Sequence, residues 1–138
     1  MGLENGIQLV SKTKIDFDDW EHVPDYIDVE FDEYDTNRYN DGYYYNVCYW
    51  RKYQGIRESI LDIIDEDGDG RFEIESKYLY KIQDVLYNVL RNPDEWRSSI
   101  WSINEAARNI AQCIINLSWL ADYINIHQGS KAIFYDSY

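Results

Sequence analysis

The chain is poor in the residue types from which most recognisable sites are built. Of its 138 residues, two are cysteine, two histidine, two proline and one methionine. Cys48 and Cys113 belong to no CxxC pair, and with His22 and His127 they give no zinc spacing. Each cysteine sits in an apolar, helix-like context, which predicts buried free thiols in a reducing compartment. Neither histidine has a sequence neighbour that would make a catalytic dyad. GxGxxG, P-loop and GxSxG patterns are absent. These absences lead to the expectation that the protein is not an enzyme. No apolar run approaches membrane-spanning length, and Met1–Val10 lacks the basic and apolar regions of a secretion signal. The expected location is the cytoplasm, with no membrane partner.

Positive charge is also scarce. Thirteen Lys and Arg stand against 26 Asp and Glu, a net charge of −13. Phosphate backbones need neutralising cations, so direct nucleic-acid binding is disfavoured and a basic protein surface is the better match. What the chain has in abundance is aromatic: 14 Tyr and 5 Trp, within a hydrophobic content of 45%. That suffices for one packed domain, with many Tyr rings set at surfaces or interfaces.

The acid is concentrated early. Residues 1–46 carry twelve acidic and three basic residues. This divides the chain into an acidic N-terminal arm, 1–46, packed on or extending the domain, and a helical core domain, 47–138. Within the arm, Ile27, Val29 and Phe31 alternate with Asp28, Glu30 and Asp32, predicting a strand with one acidic face. Asn37–Tyr45 reads as a loop. Val47–Ile64 reads as a helix, because Trp50, Tyr53, Ile56, Ile60 and Ile64 recur at three- and four-residue spacings. Arg71–Glu75 reads as a short strand. Ser76 is the expected N-cap of a second helix, Lys77–Leu90. The longest helical stretch runs from about Trp101 to Ile126, with a face wide enough for a central helix or one shared with a second copy of the chain. Ala132–Tyr135 reads as a last strand. The expected fold is α+β: a helix-rich single domain, about three main helices and a small sheet from the Ile27, Phe72 and Ile133 regions.

Three groups of residues are candidate sites. The first is the acidic arm, where Asp16, Asp18, Asp19, Glu21, Asp28, Glu30, Asp32, Glu33 and Asp35 would meet a basic partner. The second is Tyr49, Trp50, Arg51 and Lys52. There, aromatic planes and cations could hold a nucleotide-like ligand by stacking and phosphate pairing. Alternatively, Trp50 and Tyr53 are core, and Arg51 and Lys52 pair with the acidic arm. The third is Asp65–Ser76, which resembles an EF-hand calcium loop. Asp65, Asp67 and Asp69 occupy ligand positions 1, 3 and 5, Gly70 the turn at 6, and Phe72 the apolar position 8. Position 12 is Ser76 instead of the bidentate Glu, so calcium is weighed against an acidic turn that needs no cofactor.

Tyr49-Trp50-Arg51-Lys52, followed by Ile56, resembles a family of small phage and prophage proteins of unknown function. In that family a Tyr-Trp-Arg-Lys helix opening precedes a turn, a short strand, a second helix and an aromatic-serine tail. Phe134-Tyr135-Asp136-Ser137-Tyr138 approaches the tail. Arg57 and Ile60-Leu61 stand where the family has His and then Trp-Phe, and the acidic arm is additional. The resemblance implies a mobile-element origin and action in the host cytoplasm. With the charge, it leads to a first expectation of an accessory protein that inhibits a host defence or nucleic-acid-binding protein, as a DNA mimic does. A nucleotide-like ligand binder and a single degenerate calcium module stand as the alternatives.

Overall fold

A computed structural model describes residues 4–18, 23–92 and 103–137. Their strands are β1 (Glu4–Ser11), β2 (Glu30–Asp32), β3 (Tyr43–Arg51), β4 (Gly70–Ile74) and β5 (Lys131–Ser137). Their helices are α1 (Glu33–Tyr39), α2 (Gln54–Ile64), α3 (Ser76–Arg91) and α4 (Ile103–Ile126). The fold is α+β, with four helices among the described residues instead of about three. One five-stranded antiparallel sheet has the order β2-β3-β1-β5-β4. None of these helices is long and apolar enough to cross a membrane.

The sheet is larger than expected and is built differently. Phe72 and Ile133 do lie in neighbouring strands, β4 and β5. Ile27 precedes the sheet, and of the expected strand around it only Glu30–Asp32 pairs, with β3 at one edge. The central strand is β1, where inward-facing Asn5 interrupts the apolar alternation of Ile7 and Leu9. It lies between β3 and β5, buried from Asn5 to Ser11. The sequence boundary at residue 46 falls inside β3, so the sheet spans both predicted segments.

Val47–Ile64 is not one helix. Residues 47–51 continue β3, Lys52 turns the chain with φ 60°, and α2 begins at Gln54. The deceptive spacing joins a strand end to a helix: Trp50 points inward from β3, Tyr53 is the N-cap of α2, and Ile56 and Ile60 lie on α2. The β1–β3 register shifts between Ile7 and Gln8, leaving Val47 as the extra residue. Inward positions therefore move from Tyr45 to Cys48 and Trp50. Likewise, Asn37–Tyr45 is not a loop throughout: 37–39 close α1 and Tyr43 opens β3. Ser76 is the first residue of α3, and its N-cap is Glu75, with no side-chain capping bond.

One face of the sheet carries the core. Ile7, Leu9, Tyr45, Trp50 and Phe134 pack beneath Ile56 and Ile60 of α2, Ile82 and Leu86 of α3, and Ile110 and Leu117 of α4. Between α3 and α4, buried Gln83 donates from Nε2 to Ile114 O (2.7 Å) and Ser118 Oγ (2.6 Å). The breadth of the apolar face of α4 follows from its contacts with both α3 and β3, although Ile115 and Ile126 stay exposed. The opposite sheet face has a smaller cluster of Val10, Tyr44 and Ile133, beside Tyr39 of α1. Here β1 needs Gly6, because an added Cβ would collide with Cys48 O and the Tyr135 hydroxyl.

Candidate functional site

The nine acidic candidates divide into three groups. Asp19 and Glu21 lie outside the described residues, as does His22. Asp32 and Asp35 are engaged within the fold. Asp32 caps α1, its Oδ1 accepting Asp35 N–H (2.8 Å), and its Oδ2 accepts Asn46 Nδ2 (3.2 Å). Asp35 Oδ2 accepts Gln8 Nε2 (2.8 Å). Asp16, Asp18, Asp28, Glu30 and Glu33 are exposed, and among the described residues none forms an ion pair.

Packing gathers these five around β2. Phe17 meets the Tyr45 ring edge-on at 5.3 Å, and Phe31 meets the same ring at 5.4 Å. The 16–18 segment is thereby brought beside β2, an edge strand. Tyr26, Phe31 and Tyr34 are exposed on this stretch (63%, 39% and 72%), interleaved with Asp28, Glu30 and Glu33. Lys14 lies 5.2 Å over the Phe31 ring, and Arg108 shares the adjoining cleft with Asp28 and Glu30.

Next to this edge, β3 runs on beyond β2, and its free side faces α4 across a cleft of 440 Å³. Asp28, Glu30, Tyr49, Arg108 and Gln112 are among its walls, with Cys48 and Cys113 beneath. Side-chain amides of α4 meet the strand's carbonyls where no strand does: Asn109 Nδ2 donates to Tyr49 O (3.2 Å), and Asn116 Nδ2 to Val47 O (3.0 Å). Both cysteines are free and buried. Burial, followed by the adjacent Cys113, pushes the Cys48 thiol well above its ordinary range, so it stays protonated and unreactive.

Tyr49, Trp50, Arg51 and Lys52 do not form one surface. Trp50 is fully buried on the helix-covered face, so its ring offers no plane to a ligand. Among the described residues, its Nε1 and both side-chain polar atoms of neighbouring Asn5 have no hydrogen-bond partner. Tyr49 and Arg51 face the other way, where both reach Glu4: Tyr49 hydroxyl to Oε1 at 3.2 Å, and Arg51 Nε to Oε1 at 3.6 Å. Trp50 and Tyr53 are core, as one reading of the sequence had it, and Arg51 pairs with the N-terminal segment.

The Asp65–Gly70 loop is organised by a carboxylate from β5. Asp65 ends α2 in the left-handed region (φ 58°), Gly68 has φ +106° and Asp69 φ 54°. Asp69 N–H donates to Asp136 Oδ2 (2.7 Å), and the buried Asp136 pairs with Arg57 Nε at 2.9 Å. A Cβ on Gly68 would run into Arg57 Nη2 and Asp136 Oδ2. Turn chemistry thus accounts for Asp65, Gly68 and Asp69. Among the described residues no three acidic, His or Cys side chains come together as a metal site.

One constellation escaped sequence reasoning. On the open sheet face Arg71 donates from Nη2 to Gln8 Oε1 (2.6 Å). Its guanidinium lies 4.4 Å from the Tyr39 ring, 5.6 Å from Tyr44 and 6.0 Å from Tyr135. Burial, followed by the charge of Tyr49, pushes the Tyr135 hydroxyl far up, so that ring stays neutral. The contributors come from β1, α1, β3, β4 and β5, and no local spacing could have revealed them. No known protein family, no curated protein and no solved structure matches this chain.

Proposed function

We propose that this chain is a non-enzymatic accessory protein of phage type. It binds a host protein with a basic surface through the edge around β2 and inhibits it by offering the charge that protein expects from DNA. The observation that carries this reading is the interleaving of exposed Tyr26, Phe31 and Tyr34 with the exposed acids Asp28, Glu30 and Glu33. Charge alone would serve solubility. Exposed aromatics among the charges supply the apolar anchors that protein interfaces concentrate, and the carboxylates steer and align a basic partner. Asp28 and Glu30 also wall the cleft beside β3, which offers a recess to a basic side chain.

The test is capture of a partner from bacterial lysate by the tagged protein, followed by titration of the purified pair. A stoichiometric, basic, nucleic-acid-binding partner is expected. Its affinity should fall steeply with salt, and should be lost in Asp28→Lys/Glu30→Lys/Glu33→Lys and reduced in Phe31→Ala. Salt-insensitive binding, or full binding by the triple variant, would overturn the assignment to this edge.

A further inference from the structure

We infer that Arg71 and Arg38 form a binding site for a phosphoryl group, separate from the acidic edge and independent of the protein-binding reading. In a chain with twice as many acids as bases, an arginine is expected to be matched by a carboxylate. Among the described residues, neither of these two forms an ion pair. Both guanidiniums instead lie over the Tyr39 ring, Arg71 at 4.4 Å and Arg38 at 5.2 Å.

The neutral setting of Arg71 is built. The Gln8 side chain is held from behind, its Nε2 donating to Asp35 Oδ2 (2.8 Å) and Asn46 Oδ1 (2.9 Å). The amide therefore turns its oxygen toward Arg71. A neutral acceptor and aromatic rings fix the guanidinium plane without cancelling its charge, which leaves N–H donors for an anion. Such a fork matches the oxygens of a phosphoryl group in two parallel hydrogen bonds.

Both arginines open onto a cleft of 290 Å³, with Tyr39, Asp69, Tyr135 and Asp136 in its wall. The charge of Asp136 is matched by Arg57, and its Oδ2 also accepts Asp69 N–H. Asp69 itself is exposed and opposes an anion there. The phosphoryl group could be free phosphate or the end of a phosphate monoester such as a nucleotide, whose base could stack on a tyrosine ring.

Calorimetric titration of the full chain with inorganic phosphate, and separately with AMP, tests the site. Both probes should bind. Arg38→Gln, on an exposed turn of α1, should weaken both by about tenfold or more, the size of a lost charge-assisted hydrogen bond. Arg71→Lys keeps the charge and loses the fork, and should weaken both as well. Asp69→Asn should tighten both, which a merely destabilised protein would not do. AMP binding more tightly than phosphate would identify a nucleotide-type ester as the ligand; equal affinities would identify the free anion. No binding at millimolar phosphate, or affinities unchanged in Arg38→Gln and Arg71→Lys, would overturn the proposal.

Discussion

Tyr44 shows how a single side chain couples this fold to pH. Its hydroxyl is buried against the sheet and donates to Asp41 Oδ1 (2.7 Å). Burial first, and then the bond to Asp41, push its pKa up from 10.0 to about 12. The folded state therefore keeps a proton that the unfolded chain releases near 10. Above that pH the unfolded state binds fewer protons, and stability falls as pH rises from 10 toward 12. Tyr45, Tyr49 and Tyr135 are shifted in the same direction, each chiefly by burial. Urea denaturation at about pH 9 and about pH 11 should show the loss, and Tyr44→Phe should remove part of it. An identical loss in wild type and variant would show that Tyr44 does not contribute.

Between elements, a side-chain amide takes the place of a missing strand. Where β2 stops short, Asn116 of α4 sits between the Asp28 backbone and β3. Its Nδ2 donates to Asp28 O (2.9 Å) and Val47 O (3.0 Å), and its Oδ1 accepts Asp28 N–H (3.1 Å). One residue thus fixes the approach of the acidic edge to the sheet and to α4. Asn116→Ala removes these partners and leaves backbone groups unmatched at a site only 2% exposed. It should cost about 1–3 kcal/mol in chemical denaturation. Because Asp28 is held here, the variant should also weaken partner binding more than its stability loss explains. Unchanged stability would mean that water replaces the amide at little cost.

For the whole molecule, repulsion outweighs pairing. The net charge is −13, and the ion pairs among described residues are Glu4–Arg51, Asp136–Arg57, Glu75–Lys77 and Asp41–Lys131. Three of these are exposed and contribute little; Arg57–Asp136 alone is shielded from solvent. Screening should therefore relieve more repulsion than it removes attraction. Raising monovalent salt from about 0.05 M to about 0.5 M should raise the melting temperature, followed by circular dichroism. A fall would show that surface pairs dominate. Salt is thus expected to act in opposite directions on folding and on partner binding.

Composition and periodicity alone determined the class of the molecule, the two long helices α3 and α4, the short strands after residue 70 and near the C-terminus, and the concentration of acid before residue 46. These are properties of contiguous residues, which a linear pattern records. What the tertiary structure decided involves partners far apart in the chain. β1 became central because β3 and β5 pair on either side of it, a placement that no local hydropathy pattern records. The bulge at Val47 shifted the inward face of β3, so Trp50 became core, and its spacing to Tyr53 and Ile56 across the turn imitated one helix. The Arg71 site exists only because five elements converge on one sheet face. Asp32 and Asp35 look like their acidic neighbours in sequence, yet hydrogen bonds from Gln8, Asn46 and the α1 backbone engage them within the fold.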